Sequence, residues 1–401
     1  MTCKNSFRLL LAVGVVGMTA QATVLYTFSG GADGGNPQGP LAADASGNLY
    51  GSAQTGGLGY GVIFKLAPPA AQGEAWTESV LYSFTNGADG AAPAGGLVLD
   101  GKGNLYGVTD GGASVVFRLS PSTGTSGSWT FSVLYTFAQS VLPNPLLLDA
   151  RGNLYGTTQY GGDSQFLYGQ AYELSPPAAA GDAWTFTSLH SFQGPPTDGA
   201  YPASSLSMDT AGNLFGTASQ GGKGTCFDAG TVIGCGTVFE ISPSGSGWAE
   251  TSIYNFTVHE NNAPYWGLAM GRGHTMYGTA TYAAFKITST NGVEWEKATI
   301  YQFTEGISGT IPTGTLITDA KGRLYGTSYS SGLSGYSTAF QLSPPTATGT
   351  AWTETTLANF AEGFNAGQPN GGVVFGKAGE LYGVTAGGGA GAFGAVFAVA
   401  P

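Results

Sequence analysis

Charge is scarce in this chain. Lys and Arg together number 13, Asp and Glu 24, and charged residues make up 9% of 401, against about 25% in ordinary soluble domains. With so few basic residues and a formal net charge of −11, polyanions are repelled rather than steered in, which excludes nucleic acid as a partner. Histidine and cysteine are also rare, three of each. Beyond the N-terminal segment only Cys226 and Cys235 remain, with no His close by, a poor zinc ligand set. No run approaches the ~18 apolar residues of a membrane-spanning helix. Helical periodicity of useful length is missing, as are a nucleophile elbow, a phosphate loop and an H-E-x-x-H pair. The G-G pairs follow strands with no helix after them, so no cofactor is expected.

What is abundant is glycine, 68 residues, beside 12% aromatics. The first 22 residues stand apart. Lys4 and Arg8 precede an apolar run from Leu9 to Met18 and the small-x-small site Ala20-Gln21-Ala22, the pattern of a secretory signal peptide. Residues 23–401 then form the mature chain, with a net charge near −13 once Lys4 and Arg8 are removed. Localisation is expected to be secreted, periplasmic or extracellular, where Cys226 and Cys235, nine positions apart, close a disulfide.

Within the mature chain one phrase recurs seven times. G-N-L-Y-G is followed by a Gly-rich stretch, an aromatic-x-L-x-P strand and W-T-x-x-x-L-Y-x-F. Its first aromatic falls at Tyr50, Tyr106, Tyr155, Phe215, Tyr277, Tyr325 and Tyr382, a mean period of about 55 residues. Each copy reads as four short strands, none able to bury its faces alone, so the copies must stack. In the fourth strand of the second copy, period two places Trp129, Phe131, Val133, Tyr135 and Phe137 on one face. Six such strands begin at Trp76, Trp129, Trp184, Trp248, Trp295 and Trp352. The seventh is supplied by Thr23-Val24-Leu25-Tyr26-Thr27-Phe28, while the chain ends just after a third strand. The expectation is an all-β, closed seven-bladed propeller of four-stranded antiparallel blades, its last blade built from 371–401 plus 23–28. A linear stack would need capping repeats, and none is visible. Closure removes the free sheet edges that recruit other chains, so a monomer is favoured.

The wording D-x-x-G-N-L-Y-G, then G-G, then V-F-x-L-x-P, resembles the GloVer tandem-repeat family of exported bacterial proteins over essentially the whole mature chain. That resemblance implies a β-propeller. Family members commonly end in a sorting anchor, and no such segment is recognisable here. The family supplies no catalytic residues to carry over.

Two acidic motifs recur. D-x-x-G-N, as at Asp44/Gly47/Asn48, offers one carboxylate per copy where calcium wants six to eight oxygens; it reads as a turn in which Asp accepts backbone N–H bonds and Gly takes φ > 0. D-G-x-x-P, at Asp33, Asp89 and Asp198, lies between one blade's outer strand and the next blade's inner strand. Those carboxylates are either ligand-binding groups or turn caps. Aromatics outside the repeat's core pattern gather in loops on the same face, among them Tyr60, Tyr160, Tyr201, Tyr265 and Trp266. With Asp33, Asp89 and Asp198 beside them, Tyr201, Tyr265 and Trp266 make a candidate sugar-binding rim; the other reading is loop packing. Blade five departs most, around Val258-His259-Glu260 and Tyr265-Trp266, and its second-to-third-strand loop is nearly deleted. His259 and Tyr265 are the only catalytic candidates, as base and acid for β-elimination of a uronate. The expected function is binding without catalysis, the ligand a glycan or a cell-envelope protein. The alternative is a polysaccharide lyase or hydrolase.

Overall fold

A computed structural model describes residues 22–401 other than 72, 123–126, 140, 163–166, 180, 246, 261–262, 305–310, 330–336, 347–350, 361–366 and 390. It is a closed ring of seven antiparallel blades. In blade 1 the inner strand is Gly35–Ala43, followed by Leu49–Thr55, Val62–Ala67 and the outer strand Thr77–Ser83. Blade 7 takes Pro369–Phe375, Leu381–Thr385 and Ala395–Val399 from one end of the chain and Thr23–Thr27 from the other, with Thr23 opposite Ala398 and Thr27 opposite Ala395. Among the described residues the only helical segment is a 3-10 turn, Val258–Glu260. No helix of the described residues is long and apolar enough to cross a membrane.

Seven apolar cores lie between blades, one for each junction. An aromatic pair recurs at every junction. The Phe that ends each outer strand sits against the ring on the next blade's third strand, as Phe28 on Phe64 at 5.0 Å, Phe192 on Phe239 at 5.0 Å and Phe360 on Phe397 at 4.7 Å between centroids. The initial Trp of an outer strand reaches back to the L-Y-G aromatic of the preceding blade, as Trp76 to Tyr382 at 5.8 Å and Trp129 to Tyr50 at 6.1 Å. Such edge-to-face and tilted pairs contribute about 0.5–1.5 kcal/mol beyond the area they bury.

One expectation fails. The outer strand does not keep one face. Val133 pairs with Phe117 and Tyr135 with Val116, leaving Leu134 as an extra residue, a β-bulge. The bulge reverses the alternation. Trp129 and Phe131 therefore pack towards blade 1, Tyr135 and Phe137 towards blade 3, and Val133 is 40% exposed. All seven blades carry this bulge between third and outer strands. One strand thus grips both neighbours.

The glycine of L-Y-G has a packing cause. A Cβ on Gly51 would lie 2.4 Å from Phe64 Cζ, and one on Gly107 would lie 2.6 Å from Phe117 Cζ. The third-strand ring lies across the second-strand backbone, and no side chain fits beneath it.

Candidate functional site

The connections divide between two faces. D-x-x-G-N turns join inner to second strands on one of them. Asp44 Oδ1 accepts the N–H groups of Ser46 and Asn48, each at 2.9 Å, and Oδ2 accepts from the Asn48 side chain and the Tyr50 hydroxyl, while Gly47 takes φ 88°. The same turn forms at Asp100, Asp149, Asp209 and Asp319. On the other face, second-to-third-strand loops meet the connections between blades. Ala92 N–H donates to Tyr60 O at 2.8 Å, Asn36 N–H to Phe393 O at 2.8 Å and Tyr201 N–H to Tyr168 O at 2.9 Å. Asn36, Ala92 and Tyr201, each preceding a proline, stand at φ 53°, 47° and 55°, a conformation that costs a non-glycine residue about 1–2 kcal/mol. The paired N–H groups hold these corners, and the corner at blade 4 places Tyr201 edge-on to Tyr160 and Tyr168, each at 5.5 Å.

Asp33, Asp89 and Asp198 are all engaged in this framework. Asp89 accepts from the Tyr82 hydroxyl at 2.9 Å, the Thr85 N–H at 2.8 Å, the Thr85 hydroxyl at 2.6 Å and the Gly87 N–H at 3.0 Å. Asp33 accepts in the same way from Tyr26 and from the N–H and hydroxyl of Ser29. Burial works to raise both carboxyls, but the hydrogen bonds outweigh it and hold them below the ordinary aspartate value. Asp198 accepts from His190 Nε2 at 2.9 Å, Gln193 N–H at 2.7 Å and its neighbour Gly199 N–H at 2.6 Å. In blade 5 Glu260 takes over the role, accepting from Tyr254, from Thr257 and from the Lys297 ammonium. The loop that reads as divergent keeps the carboxylate by another spacing.

The inner strands turn this framework into a cup. In blades 1, 2, 6 and 7 they bulge midway, bringing backbone towards the axis. Neighbouring backbones close tightly there: a Cβ on Gly371 would lie 2.4 Å from Gly39 C, and one on Gly314 would lie 2.2 Å from Gly371 C. These strands line a cavity of about 430 Å³, within the range of small-ligand pockets. All seven blades contribute to its wall. Trp266 is the one aromatic residue among the described residues of the wall; its carbonyl accepts from Thr217 Oγ1 at 3.0 Å, which ties it to blade 4. Three long polar side chains, Gln54, Asp110 and Gln159, come from the same position in blades 1, 2 and 3. Asn370 donates to Gln38 Oε1 at 2.9 Å and Asn36 to Gln54 Oε1 at 2.9 Å, so the amides on this side are oriented. Asp110 makes no side-chain hydrogen bond among the described residues, and burial alone raises its carboxyl above the ordinary value. It is the only titratable side chain among the described residues of the wall.

Of the residues singled out by sequence, Trp266 lines the cavity. Tyr265 is 48% exposed and, like Tyr201, lies outside the wall. His259 is exposed in the 3-10 turn, and no hydrogen bond or ring contact joins it to Tyr265. Asn261 and Asn262 fall outside the described residues. Cys226 and Cys235 form a disulfide beneath the exposed Phe227 hairpin, with Cys235 buried against the core between blades 4 and 5. Gln54, Asp110 and Gln159 escape a reading directed at loops. Their signal is in the repeat: the fifth residue after the L-Y-G leucine runs Gln54, Asp110, Gln159, Ser219, Thr281, Tyr329 and Ala386, a variable position inside the most constant segment.

Solved structures with a related outline include regucalcin, a calcium-binding protein of Agrobacterium tumefaciens strain C58, at 12% identity, TM-score 0.45, with 95% of this chain and 93% of that one covered. A glucose dehydrogenase matches at 13% identity and TM-score 0.45, covering 77% of this chain and 95% of its own. A chain of a nidogen/laminin complex matches at 14% identity and TM-score 0.39, with 67% and 80% covered. Likeness at this level carries no chemistry across. No curated protein matches the sequence. The Gloeobacter/Verrucomicrobia repeat matches residues 14–145, 115–293 and 224–401.

Proposed function

The chain belongs to the Gloeobacter/Verrucomicrobia repeat family, and on that footing we propose that it is an exported, non-catalytic binding propeller that takes a glycan at its channel mouth. The observation that carries this reading is the composition of the cavity wall. A tryptophan borders a space shared with oriented amides and one carboxylate without a partner among the described residues. Amides and carboxylates bind paired hydroxyls, and an indole face receives the C–H surface of a sugar ring. Acid–base cleavage of a polysaccharide uses two placed groups, and the described wall offers Asp110 alone. The acidic balance favours neutral or cationic glycans. Asp33, Asp89 and Asp198 serve this site by shaping the loops, while Tyr201 and Tyr265 extend the contact surface at the rim. The signal-like N-terminal segment and the disulfide support export.

Affinity electrophoresis through gels carrying a panel of polysaccharides tests the reading. Retardation of the wild-type protein is expected on at least one neutral or cationic polymer, with no shortening of the polymer. Trp266→Ala should weaken that retardation about tenfold or more, the usual scale for an aromatic anchor. Zones of degradation would replace binding by turnover. Mobility unchanged on every gel would discard the glycan.

A further inference from the structure

At several junctions between blades, the rim of the ring brings the same three positions together. The first is the Tyr of L-Y-x-F on the outer strand, the second the acid of the following connection, and the third the second residue after the initial Trp in the next blade. At the junction of blades 7 and 1 these are Tyr26, Asp33 and Glu78; between blades 1 and 2 they are Tyr82, Asp89 and Phe131, with Phe131 stacked on Tyr82 at 4.2 Å. Between blades 2 and 3 Phe186 stacks on Tyr135 at 4.5 Å. Between blades 4 and 5 they are Tyr254, Glu260 and Lys297, the ammonium 5.6 Å from the Tyr254 ring centre.

Between blades 3 and 4 the two carboxylates of the blade 7–1 junction recur, and the first position changes. The phenol is replaced by the imidazole of His190, the acid is Asp198, and the third position is Glu250. Their ligand atoms all lie within 4.8 Å of one another. We propose that His190, Asp198 and Glu250 bind a divalent first-row transition-metal ion of the zinc class, clamped between blades 3 and 4. Bonds of about 2.0–2.2 Å to imidazole and carboxylate require donor atoms roughly 3–3.5 Å apart, within side-chain adjustment of the observed spread. One nitrogen with two carboxylates suits zinc and its neighbours better than calcium or magnesium, which take oxygen ligands.

The surroundings suit a cation. Glu250 faces the buried Asp198 across the junction with the Ser252 hydroxyl donating to its Oε1 at 3.1 Å, and two carboxylates so close favour a positive charge between them. An ion would take the place of the proton between His190 Nε2 and Asp198 and also satisfy Glu250. Asp198 is already fixed by the Gln193 and Gly199 N–H groups, and the His190 ring stands edge-on to Phe192 at 4.9 Å. The His190 side chain is 22% exposed, leaving an approach and room for a water ligand. The blade 7–1 junction acts as an internal control: it pairs Asp33 with Glu78 but presents Tyr26, whose phenol burial and Asp33 keep protonated.

Untagged, chelator-stripped protein titrated calorimetrically with zinc chloride, with thermal melts in parallel, decides the matter. One ion per chain is expected, with a rise in Tm. His190→Tyr and Glu250→Phe install the residues of other junctions, so both should keep the fold, and each should weaken binding at least about tenfold and abolish the zinc-dependent rise. Absence of saturable binding by the wild type overturns the proposal. So does binding that survives both substitutions, which would put the ion elsewhere.

Discussion

The glycine of L-Y-G offers the sharpest test of how the blades are packed. In Gly107→Ala the new methyl would lie 2.6 Å from Phe117 Cζ and 2.8 Å from Leu97 Cδ2, about an ångström inside ordinary contact at 3.5–4.0 Å. Phe117 cannot retreat, because it is fully buried and held by Phe84 at 5.5 Å and Phe131 at 5.4 Å. Overpacking of this kind costs about 1–3 kcal/mol, while losing a glycine from the unfolded chain returns about 0.4–1 kcal/mol. Gly101 isolates the second effect. A Cβ there meets nothing within 4 Å, and blades 1 and 3 carry Ala45 and Ala150 at the same turn position. Gly107→Ala should therefore fall below Gly101→Ala by about 2 kcal/mol. At about 2.1 cal/mol/K per residue over roughly 380 residues, that is about 2–3 °C in calorimetric Tm if the ring melts as one unit. Phe117→Leu should recover part of the loss in the Gly107→Ala background and cost stability alone, a coupling that a double-mutant cycle reads directly. Equal melting of the two alanine variants would refute the packing account.

Two further outcomes follow from the rim. Burial, then the Asp33 charge, raise the Glu78 carboxyl to about 7 from 4.5, and its Oε1 is buried without a partner. The folded state then holds this proton more tightly than the unfolded chain, so the contribution is fully present below pH 4.5 and is lost as pH rises towards 7. Glu78→Gln should flatten that decline in a pH series of urea midpoints, leaving the parts due to Asp110, Glu250 and Glu354; an unchanged slope would count against it. Lys297 bonds Glu260 and stands 5.2 Å from the Phe256 ring centre with its side chain only 8% exposed. Lys297→Met should cost about 2 kcal/mol or more by stranding the Glu260 charge. Adding Glu260→Gln should restore most of it, whereas additive losses in the same unfolding assay would deny the coupling.

The ring was legible in the sequence because its evidence is redundant: seven copies of one phrase and an N-terminal half-strand matching what the C-terminal blade lacks. The disulfide was legible from two cysteines in one loop. The division of the outer strand between two neighbours was not, because one extra residue at Leu134 inverts a period-two pattern without altering its composition. Asp33, Asp89 and Asp198 looked alike as ligands and as caps, since both uses want a carboxylate beside a glycine; the N–H and O–H donors that surround them in the fold are not readable from the sequence. Glu260 was hidden because capping needs an acid at a point in space, and a longer side chain reaches that point from a different place in the sequence. Trp266 was visible as an aromatic out of pattern. Asp110 was masked by lying at the end of a strand whose other positions hardly vary.

The strand that completes blade 7 also sets an order of events. Thr23 and Ala398 are paired across almost the whole chain, and closing so long a loop from the open coil costs about 5 kcal/mol. Local blades return their contacts early, whereas this pairing gains nothing until the intervening blades have drawn its two ends together. The latch therefore engages last. It is also where unzipping exposes two interblade faces at once, those of Phe28 against blade 1 and Val24 against blade 6. A few residues at one terminus thus set how long the whole ring stays shut.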